Sequence, residues 1–218
     1  MIPRPWVVLL AAGGSRRFGA PKQLARIGGE SLLRRAARVA LAAAPAGCVV
    51  VLGARASRLA RELEDLPVRT VVNRRWQSGL GGSLAAGIAA LPADARAALV
   101  LLADQVALGP ADLELLYTAW RAAPTAIIAA RSGRIVGSPA IFPRRHFPEL
   151  RRLRGDQGAR ELLRDGTRRV VAVELAAASA DIDRPRDLDR VRRERSRART
   201  RQSSRSSRAR RSKPSGAT

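Results

Sequence analysis

The chain has 218 residues, 46% of them hydrophobic but only 3% aromatic, with one cysteine and one histidine. A single cysteine excludes an internal disulfide framework and a cysteine-built zinc site. No apolar run approaches the roughly 18 residues of a membrane span, and none follows a basic N-terminal stretch as in a secretory leader. One α/β domain in the cytoplasm is therefore expected, with enough apolar residues for a sizeable core. The formal charge of +23 is partly local. Residues 192–218 are rich in Arg and Ser, lack apolar periodicity and are expected to be a disordered tail behind a folded domain spanning 1–191.

The first apolar run, Trp6–Ala12, reads as a strand and Ser31–Ala43 as the first helix. Between them lies LAAGGSRRFGAPK. Glycines at 13, 14 and 19 permit close backbone approach and positive φ. Successive backbone N–H groups over Leu10, Ala11, Ala12, Gly13, Gly14 and Ser15, with Gly19 further on, can then point at phosphate oxygens. Arg17 and Lys22 add positive charge. Lys22 is conspicuous because the only other lysine among 41 basic residues is Lys213, in the tail. A compact ammonium and a planar guanidinium are not interchangeable at a phosphate. The spacing matches neither the P-loop nor the G-x-G-x-x-G fingerprint, and a plain strand-to-helix turn is the alternative.

Cys48–Gly53 reads as a buried strand, with Cys48 in the core, Arg55–Leu63 as a helix and Thr70–Asn73 as a strand. The glycine-rich NRRWQSGLGGSL follows. Ser83 is placed to cap a helix over Ser83–Leu91, and Asn73, Gly79 and Ser83 are candidates to meet base, ribose or phosphate. A flexible connection is the alternative. The run Ala98–Ala103 ends in Asp104, at the carboxyl end of a strand, where open α/β sheets bind ligands. A carboxylate there suits Mg²⁺, which bridges to substrate phosphates. The next helix, Pro110–Ala122, starts too far away for Asp104 to cap it.

Ala126–Ala130 reads as a strand. The helix-poor stretch Ile135–Phe142 breaks the rhythm and is expected to run antiparallel and close over a substrate. Helices follow over Arg144–Leu150 and Gly158–Leu163, then a strand over Val170–Leu175. His146 is expected on a surface helix beside Arg144 and Arg145, without a role as base or ligand. Asp181 and Asp183 share one side of an extended chain, so one of them can join Asp104 on a metal. Asp183 is equally placed to cap a helix starting at Pro185. Alternating apolar strands and helices predict a three-layer α/β sandwich with a mostly parallel sheet.

Taken together, LAAGGSRRFGAPKQL, NRRWQSGLGGSLAAGI, LLADQ, GSPAIFPRRHFPELRRLRGDQGARELL and DIDRPRDL resemble, in order, the motifs of the MobA-like nucleotidyltransferases. The first is similar to that family's L-A-A-G-x-S-x-R-x-G-x-x-K-x-L signature, and the resemblance spans about residues 5–190. Within the family the likeness is to the molybdenum cofactor cytidylyltransferase and xanthine dehydrogenase accessory branch. It implies a Rossmann-like, GT-A-like nucleotidyltransferase fold and Mg²⁺-dependent transfer of CMP from CTP to a molybdopterin-type acceptor. Arg17, Lys22 and Asp104 would be its catalytic residues, with Asp181 and Asp183 as its late acidic motif. LAAG rather than LAGG leans toward CTP over GTP.

Val106 stands where the branch often has proline, Ser138 where it often has histidine and Arg184 where threonine is common. These departures leave the acceptor open. A molybdoenzyme or its insertion chaperone would be the partner. Neither a membrane nor nucleic acid is expected, since a basic tail alone leaves the loop, lysine and aspartate unexplained.

Overall fold

Continuous apolar runs become strands buried on both faces in the computed structural model, which describes residues 2–156, 158–164, 166–179, 182 and 184–193. In chain order the elements are β1 (Trp6–Leu10), β2 (Arg26–Ile27), β3 (Glu30–Ser31), α1 (Leu32–Ala42), β4 (Cys48–Leu52), α2 (Ala56–Arg61) and β5 (Arg69–Val72). Next come α3 (Leu80–Ala89), β6 (Ala97–Leu102), α4 (Pro110–Ala122), β7 (Ile127–Ser132) and β8 (Ile135–Pro143). Then follow α5 (Phe147–Leu150), α6 (Arg160–Arg164) and β9 (Val170–Glu174).

Seven strands form one sheet in the order β5-β4-β1-β6-β8-β7-β9. All neighbours run parallel except β8, which is antiparallel to both β6 and β7. The predicted antiparallel excursion is thus present. It starts at Ile135, and Gly133 at φ +60° makes the hairpin turn that reverses it. Alternate residues of a strand face opposite sides, and this splits the core into two layers. Val7 and Leu9 pack with Leu33 and Ala37 of α1, Leu59 of α2 and Leu113 and Leu116 of α4. Val8 and Leu10 pack with Leu84 and Ile88 of α3, Leu150 of α5 and Leu162 of α6. The expected three-layer sandwich follows from that alternation. Close approach matters under α3: a Cβ on Gly87 would lie 2.4 Å from Val8 Cγ1, so only glycine lets this helix sit on the sheet.

Helix starts are set locally. Ser31 Oγ accepts from Arg34 N–H at 3.2 Å and caps α1, which starts at Leu32, a place serine favours. Ser83 does not cap α3. That helix begins three residues earlier, at Leu80, and is entered through Gly79 at φ +108°. The segment Arg144–Leu150 is a short 3₁₀ turn, Arg144–His146, running into α5. His146 is buried within it, contrary to the surface position expected. Its Nε2 accepts from Arg145 Nε at 3.2 Å, and burial, then the Arg145 and Arg168 charges, hold its pKa below the usual imidazole value. Cys48 is buried as expected, and burial raises its thiol pKa to about 12. The β2–β3 hairpin was not legible in advance.

The described residues up to Ile182 form one compact unit, and residues 184–193 belong to a second. In the second, residues 185–193 are helical, and Arg184 N–H donates to Asp187 Oδ2 at 2.8 Å at the helix start. The tail beyond residue 193 lies outside the described residues. Among the described residues no helix is long and apolar enough to cross a membrane.

Candidate active site

The strand order reverses between β1 and β6: the chain goes from β1 outward to β4 on one side, and β6 lies on the other. Loops leaving the carboxyl ends of such a pair diverge and leave a crevice. Here a cleft of about 420 Å³ opens at that point. Its floor is the loop after β1, from Leu10 through Ala11, Ala12 and Gly13 to Gly14. Its walls carry Arg17, Lys22 and Asp104 on one side and Trp76, Gly79 and Ser83 on the other. Segments separated by more than 80 residues in the chain thus share one cavity.

The loop is tied down by two side chains behind it. Gln23 is buried, and its Nε2 donates to Gly13 O at 2.6 Å and Ala11 O at 3.2 Å. Ser15 Oγ donates to Gln23 Oε1 at 3.0 Å and accepts from Lys22 N–H at 3.1 Å. Both partners of the Ser15 hydroxyl therefore belong to the loop, which Ser15 closes from a left-handed φ of +56°. With their carbonyls committed behind, the loop segments around Gly13 present backbone to the cleft. Ser15, Gly19 and Asn73, all expected at the ligand, do not line the cleft. Asn73 instead donates from Nδ2 to Ser83 Oγ at 3.0 Å, a buried bond that ties β5 to α3. Gln23, Trp76 and Asp156 line it without having been anticipated. The position of Gln23 beside Lys22 was a usable signal, whereas Asp156 is brought in only by the fold.

Lys22 and Asp104 meet at the centre. Lys22 Nζ donates to Asp104 Oδ2 at 2.5 Å and to Ile182 O at 3.0 Å. Ile182 N–H donates in turn to Asp104 O at 3.2 Å. Asp181 and Asp183 lie outside the described residues, but Ile182 between them is fixed beside Asp104. Asp104 itself is anchored through its backbone neighbours, since Ala103 N–H donates to Leu10 O at 3.1 Å, extending the β1–β6 ladder. Its Oδ1 is buried and has no hydrogen-bond partner. An uncommitted buried carboxylate oxygen is costly unless a cation completes it, and a hard oxygen donor fits Mg²⁺ or Mn²⁺. Among the described residues no group of three or more His, Cys, Asp or Glu gathers into a metal site; of the two carboxylates that line the cleft, Asp104 and Asp156, Asp104 is the one with a buried oxygen that has no hydrogen-bond partner.

A second chamber, about 400 Å³, adjoins the first. The two share Leu10, Leu80, Leu102 and Asp156 as a partition. The reversed strand β8 forms its far wall through Gly137, Ser138, Ala140 and Phe142. Gln105 holds that wall in place: its Nε2 donates to Ser138 O at 2.8 Å and its Oε1 accepts from Ser138 Oγ at 3.2 Å. The predicted closing segment is therefore a chamber wall beside the main cleft.

Comparison with known proteins agrees with this architecture. The family model described as MobA-like NTP transferase domain matches residues 7–172, and the chain belongs to that nucleotidyltransferase family. It is 34% identical over 167 residues to nicotine blue oxidoreductase of Paenarthrobacter nicotinovorans, covering 72% of this chain and 80% of that protein. The crystal structure of Rv0371c from Mycobacterium tuberculosis superposes with a TM-score of 0.77 at 30% identity, covering 88% of this chain and 100% of the other. A complex of Rv0371c with manganese gives a TM-score of 0.72 at 30% identity, covering 86% of this chain and 97% of the other.

Proposed function

We propose that this member of the MobA-like NTP transferase family is a Mg²⁺-dependent cytidylyltransferase. It would transfer CMP from CTP to molybdenum-loaded molybdopterin, giving molybdopterin cytosine dinucleotide and pyrophosphate. The observation that carries this reading is the meeting of Lys22 Nζ and the Asp104 carboxylate, 2.5 Å apart, over a glycine-floored cleft. The placement matches what transfer at a phosphate requires, namely positioning and charge neutralisation with no protein nucleophile.

The residues divide the work as follows. Backbone N–H groups of the loop through Gly13 and Gly14 and the exposed Arg17 side chain receive the triphosphate. The Lys22 ammonium leaves Asp104 for a phosphate oxygen and keeps its contact with Ile182. Asp104 would hold the metal, with Asp181 or Asp183 as the second carboxylate, and a bound Mg²⁺ supplies neutralisation of the developing charge. The chamber behind Leu102 seats the acceptor and points its phosphate at the nucleotide. An acceptor phosphate oxygen then bonds to the α-phosphorus as the α–β bridging P–O bond breaks, its electron pair leaving with pyrophosphate. The attacking oxygen is already ionised, so no base is required. Localisation in the cytoplasm and delivery to a molybdoenzyme or its insertion chaperone complete the proposal.

The test is pyrophosphate release with Mg²⁺, comparing CTP, GTP and ATP with and without molybdenum-loaded molybdopterin. Release that needs both CTP and the acceptor is the expected result. Release with GTP, or with a different phosphorylated acceptor, would keep the chemistry and replace the substrate. Reduction of an added dye by a hydride donor, with no pyrophosphate from any nucleotide, would replace this reading by the redox activity in the name of the Paenarthrobacter relative.

A further inference from the structure

Trp76 is the one aromatic side chain among the described residues that line the main cleft. Aromatic residues are scarce in this chain, three Trp, three Phe and one Tyr. Tyr117, Trp120, Phe142 and Phe147 are all spent in the core, each at most 4% exposed. Trp76 is only half-buried, on a turn where a smaller polar residue would satisfy the backbone equally well.

The fold makes room for this indole from two directions. A Cβ on Gly14 would lie 2.7 Å from its Cζ3 and 2.8 Å from its Cη2. A Cβ on Gly53 would lie 2.6 Å from its Cβ. Two glycines from different strand-to-helix loops thus leave space for one side chain. The outer ring rests on the phosphate-facing loop and the stem rests beside β4. The turn that carries it is also held firm. Asn73 Oδ1 accepts from Arg75 N–H at 3.0 Å, Ser78 N–H donates to Arg75 O at 3.0 Å, and Gly79 N–H donates to Trp76 O at 3.2 Å. The indole is therefore presented to the cleft already in position, at little further ordering cost on binding.

We propose that Trp76 is the stacking platform for the nucleobase, placed so that a base lying on the indole puts its triphosphate over the loop at Gly14. The proposal rests on the nucleotide reading above and adds a residue that the loop, lysine and aspartate do not account for. Every base has a π-face, so such a platform gives affinity for nucleotides as a class and leaves base choice to hydrogen-bonding groups. Phosphate contacts are separate from it. Trp76 should thus distinguish a nucleoside triphosphate from inorganic triphosphate, which has no base to stack.

The experiment measures binding of CTP, GTP and inorganic triphosphate by calorimetry to the wild type, Trp76→Leu and Trp76→Phe. Thermal unfolding confirms that each variant is folded. Trp76→Leu is expected to weaken CTP and GTP about tenfold or more and to leave inorganic triphosphate unchanged, while Trp76→Phe recovers most of the loss. In the wild type CTP should quench tryptophan fluorescence, and Trp76→Phe, which retains Trp6 and Trp120, should lose that quench. Unchanged CTP affinity in Trp76→Leu would overturn the platform. An equal loss for CTP and inorganic triphosphate would also overturn it, assigning Trp76 to support of the loop. Failure of the wild type to bind any nucleotide would remove the nucleotide reading itself, a result distinct from either.

Discussion

Replacing Asp104 by Asn removes one charge and almost no volume, and the structure sets the size of two separate effects. The first is on stability. Lys22 and Asp104 are 2.5 Å apart, with side chains 17% and 18% exposed. Stripping one partner from a fully buried pair costs about 3–5 kcal/mol. Here some solvent reaches both groups, and Lys22 keeps its bond to Ile182 O at 3.0 Å. The variant removes the buried charge but leaves a neutral amide atom at the place of the unpaired Oδ1. The net loss should be about 1–2 kcal/mol, a fall in Tm of about 2–8 °C for a chain of this size. The backbone around residue 104 stays, because Ala103 N–H to Leu10 O and Ile182 N–H to Asp104 O involve no side chain. The second effect is on function. Loss of the carboxylate should lower pyrophosphate release by about a hundredfold or more and abolish the rise in Tm that Mg²⁺ with CTP gives the wild type. The assay is thermal unfolding with and without Mg²⁺–CTP, beside pyrophosphate release. A folded Asp104→Asn protein turning over within about threefold of wild type would refute the role given to this carboxylate.

Other perturbations follow the same geometry. Lys22→Arg keeps the charge but not the compact ammonium that reaches both Asp104 and Ile182, so turnover should fall at least about tenfold; steady-state kinetics near wild type would contradict this. Gly79→Ala should lose about 3 kcal/mol or more in urea unfolding, because φ is +108° and the new Cβ would sit 2.3 Å from the Gly155 carbonyl. Gly13→Ala, whose Cβ meets nothing within 4 Å, should leave stability within about 0.5 kcal/mol while weakening triphosphate binding; equal destabilisation of the two would be inconsistent with these contacts. His146 is held neutral by burial, then by Arg145 and Arg168. Its folded pKa lies below the unfolded value, so the unfolded chain takes up the proton first. Stability is full above about pH 6.5 and falls as the pH drops through the folded pKa. The urea midpoint of the wild type should therefore fall more steeply on acidification than that of His146→Gln.

Periodicity was enough to read most of the elements. Continuous apolar runs such as Cys48–Leu52 and Ala97–Leu102 are intelligible as parallel strands because burial on both faces leaves no polar alternation. The break in rhythm at Ile135 gave away the reversed strand because no helix directly precedes it, and a strand without a crossover can only turn back antiparallel. Asp104 and the loop after β1 were legible because a carboxylate and glycines at strand ends have a local signature. The start of α3 was not. Ser83 is a good cap by residue type, yet it lies inside the helix, where Asn73 claims its hydroxyl. His146 was misplaced because its sequence neighbours Arg144 and Arg145 suggest a surface position, whereas the fold buries its ring even with Arg145 bonded to it and Arg168 close by.

Sequence by itself determined the layers and named the basic loop and the aspartate, since these depend on residue type and spacing within one strand–loop unit. Only the tertiary structure decided which groups meet. Lys22 reaches Asp104 across 82 positions and Ile182 across 160. The indole of Trp76 finds its seat against Gly14 and Gly53, in two other loops. Such contacts are fixed by the strand order β4-β1-β6 and the register between those strands. That order is chosen by packing two helical layers on one sheet, a long-range condition that no local pattern of residues encodes.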